Sequence, residues 1–158
     1  MNSIYIYEKV GSMKLHSAQR GFTLIELLVV IGILTVLMAI VLVAVNPSRQ
    51  FSQANNAKRT SDITTIVNAI HQYEIDNKGK LPAGIPATTA ATIANTGVDI
   101  CAALVSTYTA QMPIDPLVGT YTSCASYNTG YTVVSSANNR VTVAAPNAEL
   151  GATITITQ

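Results

Sequence analysis

The sequence predicts an α+β protein, a long N-terminal α-helix packed on a small antiparallel β-sheet. An uncharged apolar run fills residues 27–45. Helical periodicity resumes behind it, with Phe51, Ala54, Ala57, Ile63, Ile66, Val67, Ile70 and Tyr73 near one face. Near the C-terminus, Thr153-Ile154-Thr155-Ile156-Thr157 alternates as a half-buried strand does.

The apolar run holds 19 residues, of which only Gly32 and Thr35 are not plainly apolar. As a helix it covers roughly 28 Å, enough to cross a bilayer core. An ordinary secretory signal fits poorly, because the run is too long and no small-residue cleavage site precedes Asn46. Ahead of the run, Lys9, Lys14 and Arg20 outnumber Glu8, which predicts that residues 1–21 stay cytoplasmic. Met13-Lys14-Leu15-His16 would itself open a compact basic leader, so translation is expected to start at Met13.

The junction Gln19-Arg20-Gly21-Phe22-Thr23-Leu24-Ile25-Glu26 is the most informative stretch. Glu26 is a carboxylate at the mouth of a membrane-length segment, a costly placement without a partner charge. Cleavage between Gly21 and Phe22 would supply one, the new α-amino group of Phe22. These residues and the apolar run behind them resemble the signature of type IV pilins and their pseudopilin relatives. The resemblance is close over residues 20–45 and looser to Tyr73. It implies a pilin fold, a prepilin peptidase that cuts after Gly21, and N-methylation of Phe22. It also implies that Glu26 is a subunit-assembly residue in a helical homo-oligomeric filament. An inner-membrane platform with an ATPase would build that filament, and its subunits would move from the inner membrane to an extracellular surface filament.

Four segments are expected: a removable leader at 1–21, a membrane and filament-core helix at 22–45, an amphipathic helix at 46–79, and a small β domain at 80–158. Pro47 predicts a helix kink or local break, with Asn46 as N-cap and Pro47 at the first helical position as the competing description. A continuous helix over 22–78 would measure on the order of 85 Å. Lys58, Arg59, Asp62, Gln72 and Asp76 fall off the apolar face, and Gly79 with Pro82 signals the stop. Residues 82–97 read as a small-residue loop, and Asp99 as the cap of a short helix over 100–106. Met112-Pro113-Ile114-Asp115-Pro116 is a turn that resembles the Pro-x-Asp-Pro element of major pseudopilins and many simple pilins. Strands are expected at 131–136, 140–145 and 152–157, with an Asn138-Asn139 hairpin turn.

Cys101 and Cys124 are the only cysteines. A Cys101–Cys124 disulfide is expected, chemically permitted if the domain lies outside the membrane, with two separate buried thiols as the alternative. No metal site and no cofactor are expected, since two cysteines without clustered histidines fall short of a closed zinc shell. Neither histidine has a matched nucleophile, so the protein is not expected to be an enzyme. Beyond residue 21 the chain has Lys or Arg at six positions and Asp or Glu at seven, a balance that gives no electrostatic case for nucleic acid.

The function expected is therefore structural: a type IV pilus subunit polymerising through its N-terminal helix, in a filament serving adhesion, motility or DNA uptake. A type II secretion pseudopilin is the alternative. Only Glu149 is acidic after Asp115, so the acidic calcium loop that the resemblance implies for major pseudopilins is not visible, which favours the pilus. A non-polymerising, single-span anchored binding domain would leave Glu26 unpartnered.

Overall fold

A computed structural model describes residues 21–158, in two compact units divided after Ala44. The expected leader, its start at Met13, and Lys14, His16 and Arg20 lie outside the described residues.

The first unit is built around helix α1, Leu24–Val45. Its 22 residues make roughly 33 Å of helix. None of them is buried. It is long and apolar enough, by length and composition, to cross a membrane.

Helix α2, Pro47–Asp76, lies in the second unit. Asn46 adopts the left-handed conformation (φ 41°), and its side-chain oxygen accepts the Arg49 N–H at 3.3 Å. Pro47 stands at the first helical position, where its missing N–H costs nothing. A continuous helix over 22–78 is therefore absent, and the interruption sits at Asn46. At the other end the Asn77 N–H and side chain both bond the Tyr73 carbonyl, at 3.0 and 2.8 Å. Lys78 and Gly79 then turn left-handed, which stops the helix.

One face of α2 carries Ile63, Ile66, Val67 and Ile70 into the core. Opposite them lie Ile93, Leu104, Met112, Tyr131, Val133, Val141 and Val143. The face differs from the expected one at both edges. Phe51, Ala54 and Ala57 are exposed, whereas Arg59 and Asp62 are buried because acceptors and donors from distant segments meet them.

The sheet is antiparallel and has five strands: β1 (Ala91–Ala94), β2 (Thr120–Ser123), β3 (Ser126–Ser135), β4 (Val141–Ala144) and β5 (Thr155–Thr157). Strand β3 is the spine, running beside β1 on one edge and pairing β2 and then β4 along its length. Its buried positions alternate through Tyr127, Thr129, Tyr131 and Val133. Against expectation, β3 starts five residues earlier than the strand read at 131–136, and β5 starts three later than the one read at 152–157. Strand β1 lies inside the stretch read as loop, because Ala-Thr-Ile-Ala shows no clean alternation and is held by pairing with β3. Between β3 and β4 the turn places Asn139 in the left-handed conformation. Helix α3 spans Cys101–Leu104, shorter than the expected 100–106, and its N-cap is Ile100 rather than the expected Asp99, whose carboxylate lies 3.4 Å from the Cys101 nitrogen.

Candidate functional site

In the first unit, Gly21 and Phe22 stand exposed at the head of α1. Thr23 and Glu26 form a reciprocal cap. Glu26 Oε2 accepts the Thr23 N–H at 2.8 Å and the Thr23 hydroxyl at 2.7 Å. In return the Glu26 N–H donates to Thr23 Oγ1 at 3.3 Å. This is a capping box: side chain and backbone satisfy each other where the first helical turn has no partners of its own. Glu26 thus has donors within its own chain. Thr23 was not among the expected site residues, although Thr-x-x-Glu before an apolar run is a legible signal.

In the second unit, Arg59 is the centre of a buried staple. It is fully buried and makes two bonds to Asp115, Nε to Oδ2 at 2.7 Å and Nη2 to Oδ1 at 3.3 Å. Its Nη1 donates to Glu149 Oε2 at 2.8 Å and to Asn56 Oδ1 at 3.0 Å. Asp115 also accepts the N–H groups of Leu117 and Val118. Burial pushes the Asp115 carboxyl up, but Arg59 and the two amides outweigh it and hold the group below its ordinary value. Bonding to Asp115 raises Arg59 still further. Glu149 is also held low, by Arg59 first and then by Asn55 and Ser52.

The staple joins three segments that are remote in the chain. Asp115 belongs to the Pro-Ile-Asp-Pro turn, and Glu149 to the loop between β4 and β5. Glu149 is gripped along its whole length. Ser52 Oγ and Asn55 Nδ2 donate to its carboxylate, each at 2.9 Å. The Asn56 amide accepts its N–H at 2.9 Å and donates to its carbonyl at 2.8 Å. Nearby, Tyr131 donates to Asp62 at 2.8 Å, while Lys58 pairs Asp62 at 2.7 Å. Burial, then Asp62, pushes the Tyr131 hydroxyl well up, so it stays a donor. Gly130 (φ 75°) lets β3 pass the staple, since a Cβ there would lie 2.8 Å from Val118 Cγ2 and 2.9 Å from Asp115 Cβ.

Cys101 and Cys124 form a disulfide with Cα atoms 5.3 Å apart, tying α3 to the β2–β3 turn. Pro47 takes the first position of α2. His71 sits on the surface of α2, 3.3 Å from Glu74. No group of three or more His, Cys, Asp or Glu side chains able to hold a metal occurs among the described residues. The expected site residues divide between the two units. Gly21, Phe22 and Glu26 lie in the first unit; Pro47 and the cysteines lie in the second.

Together these features define a class: an α+β protein with a membrane-length N-terminal helix, a capped acid at its head, and a disulfide-tied antiparallel sheet. Residues 16–42 match the prokaryotic N-terminal methylation motif. The chain is similar to type II secretion system core protein G of Escherichia coli (strain K12), with 38% identity over 65 residues, covering 41% of this chain and 43% of the relative. It is similarly related to type II secretion system core protein G of Pectobacterium carotovorum subsp. carotovorum, at 41% identity over 59 residues, 37% of this chain and 36% of the relative. The matches span less than half the length of these curated relatives. No solved structure matches the chain. These findings support the type IV pilin and pseudopilin family.

Proposed function

We propose that this chain is a structural, non-catalytic filament subunit that polymerises through α1. The observation that carries this reading is α1 itself, 22 residues of apolar helix with no side chain buried. Such a surface is stable only against lipid or against other apolar helices. Before assembly the bilayer would cover it. After assembly, copies of α1 would cover one another in a helical bundle. The α-amino group of Phe22 on an adjoining copy would then meet Glu26.

Processing by a prepilin peptidase between Gly21 and Phe22, methylation of Phe22, and assembly by an inner-membrane platform with its ATPase belong to the same reading. A type IV pilus on the cell surface, serving adhesion, motility or DNA uptake, is favoured by Glu149. The acid nearest the C-terminus is already engaged by Arg59, Ser52 and Asn55 and is not free for a cation. The second reading, a pseudopilin of a type II secretion system, is favoured by the names of both relatives.

Electron microscopy of sheared surface material, with mass spectrometry of its subunits, tests the proposal. Filaments containing this chain from residue 22 onward support it. A chain found only as monomer in membranes, under conditions where the assembly genes are expressed, overturns it. Loss of secreted enzymes rather than of surface filaments on deletion would select the pseudopilin.

A further inference from the structure

Two exposed apolar side chains flank the Ser52–Glu149 hydrogen bond. Phe51, one residue before Ser52, is 71% exposed, and Leu150, one residue after Glu149, is 55% exposed. The grip of Ser52, Asn55 and Asn56 on Glu149 holds the Leu150 loop against the first turns of α2. Leu150 itself is set in an unfavourable backbone. Leu150 (φ 58°) and Gly151 (φ 68°) are both left-handed, and the Ala152 N–H closes onto the Glu149 carbonyl at 3.1 Å. That is a type I′ turn, whose first central position suits Asn, Asp or Gly. A leucine there crowds its own carbonyl and buries little in return. Folding of the domain therefore explains neither the residue nor its exposure.

Position in the chain suggests what does. Phe51 lies six residues beyond Val45, the last residue of α1. Chain connectivity alone keeps it within roughly 21 Å of that helix end. Arg49 lies between them and is the only charged residue from Leu27 to Ala57. An aromatic ring, an aliphatic side chain and a cation just past a membrane span are the chemistry of a bilayer headgroup region.

We propose that Phe51 and Leu150 form an apolar lip that seats the globular unit on an anionic phospholipid surface before assembly, with Arg49 meeting lipid phosphate. This rests on the reading of α1 as the membrane span. The rigid grip on Glu149 supplies the lip with a fixed shape, and extraction into a filament removes it from lipid.

The chain has no tryptophan, so Phe51→Trp makes a single reporter. The full chain carrying it is reconstituted at low protein density into phosphatidylglycerol and phosphatidylethanolamine vesicles. The expected emission is blue-shifted and quenched at least about twofold more by lipid brominated near the headgroup than by lipid brominated near the chain end. Adding Leu150→Asn is expected to weaken that quenching about twofold without lowering the melting temperature, because Asn suits the turn. A purely structural Leu150 would leave quenching unchanged, and that result removes it from the lip. Leu37→Trp is the control. If deep-brominated lipid fails to quench it, the span reading fails and the lip with it. If it is quenched while Phe51→Trp emits as in water, the lip alone is overturned. A shift at Phe51→Trp that appears only as protein density rises identifies a second copy as the occupant and also overturns the proposal.

Discussion

Replacing Arg59 with methionine removes the cation from a buried site. Asp115 would keep the Leu117 and Val118 N–H donors but lose both guanidinium bonds. Removing one partner of a buried ion pair costs about 3–5 kcal/mol, and the two surviving amides place the loss at the lower end, about 3 kcal/mol. The second unit runs from Val45 to Gln158, so the melting temperature should fall on the order of 12 °C. Near-UV circular dichroism of the tyrosines, on the full chain in detergent, reads the melt of this unit.

The pH dependence carries the diagnostic sign. In the native protein Asp115 and Glu149 are held below their ordinary values, so their stabilisation is complete above the usual carboxylate range. It is lost as pH falls through the depressed folded values, since the unfolded chain binds the protons first. In the variant, burial without a cation moves Asp115 the other way. The stability gap between the two proteins should therefore narrow from neutral pH toward about pH 4. Adding Asp115→Asn to Arg59→Met should recover more than about 1 kcal/mol. A loss below about 1 kcal/mol, or a gap independent of pH, would refute the claim that this staple holds the fold.

Three further outcomes are expected. N-terminal sequencing of the mature protein should begin at Phe22, carrying one extra methyl group; a chain retaining Lys14 or starting beyond Val45 excludes cleavage at this junction. Cys124→Ser, or reduction, should lower stability by about 3 kcal/mol, since the bridge closes a loop with a sequence separation of 23; an unchanged melt under reductant counts against the bridge. Glu26→Gln preserves an acceptor for Thr23 and removes the charge, so helix content and membrane insertion should persist while filament yield falls; normal yield would mean that the cap, not the charge, is what Glu26 contributes.

What the sequence determined by itself is local. An apolar helix of membrane length needs only composition and length, so α1 is legible without partners. Stops and turns need only particular residues, and Gly79 and Asn139 stand where the backbone turns left-handed. The Thr153–Thr157 alternation marks one edge of the sheet, although only Thr155–Thr157 pairs as strand. The Thr23–Glu26 box was equally local and could have been read from its spacing. Tertiary structure alone decided the rest. Arg59 looks like a solvated helix residue because its acids lie 56 and 90 positions away. Only folding brings Asp115 and Glu149 onto one guanidinium, and only that encounter turns an expensive burial into a tolerable one. Strand β1 is likewise a product of pairing, its weak local preference overridden by the ladder that β3 offers. Leu150 in a turn that disfavours it cannot be seen in the sequence at all, because the left-handed backbone that makes it anomalous is imposed by the grip on its neighbour, Glu149.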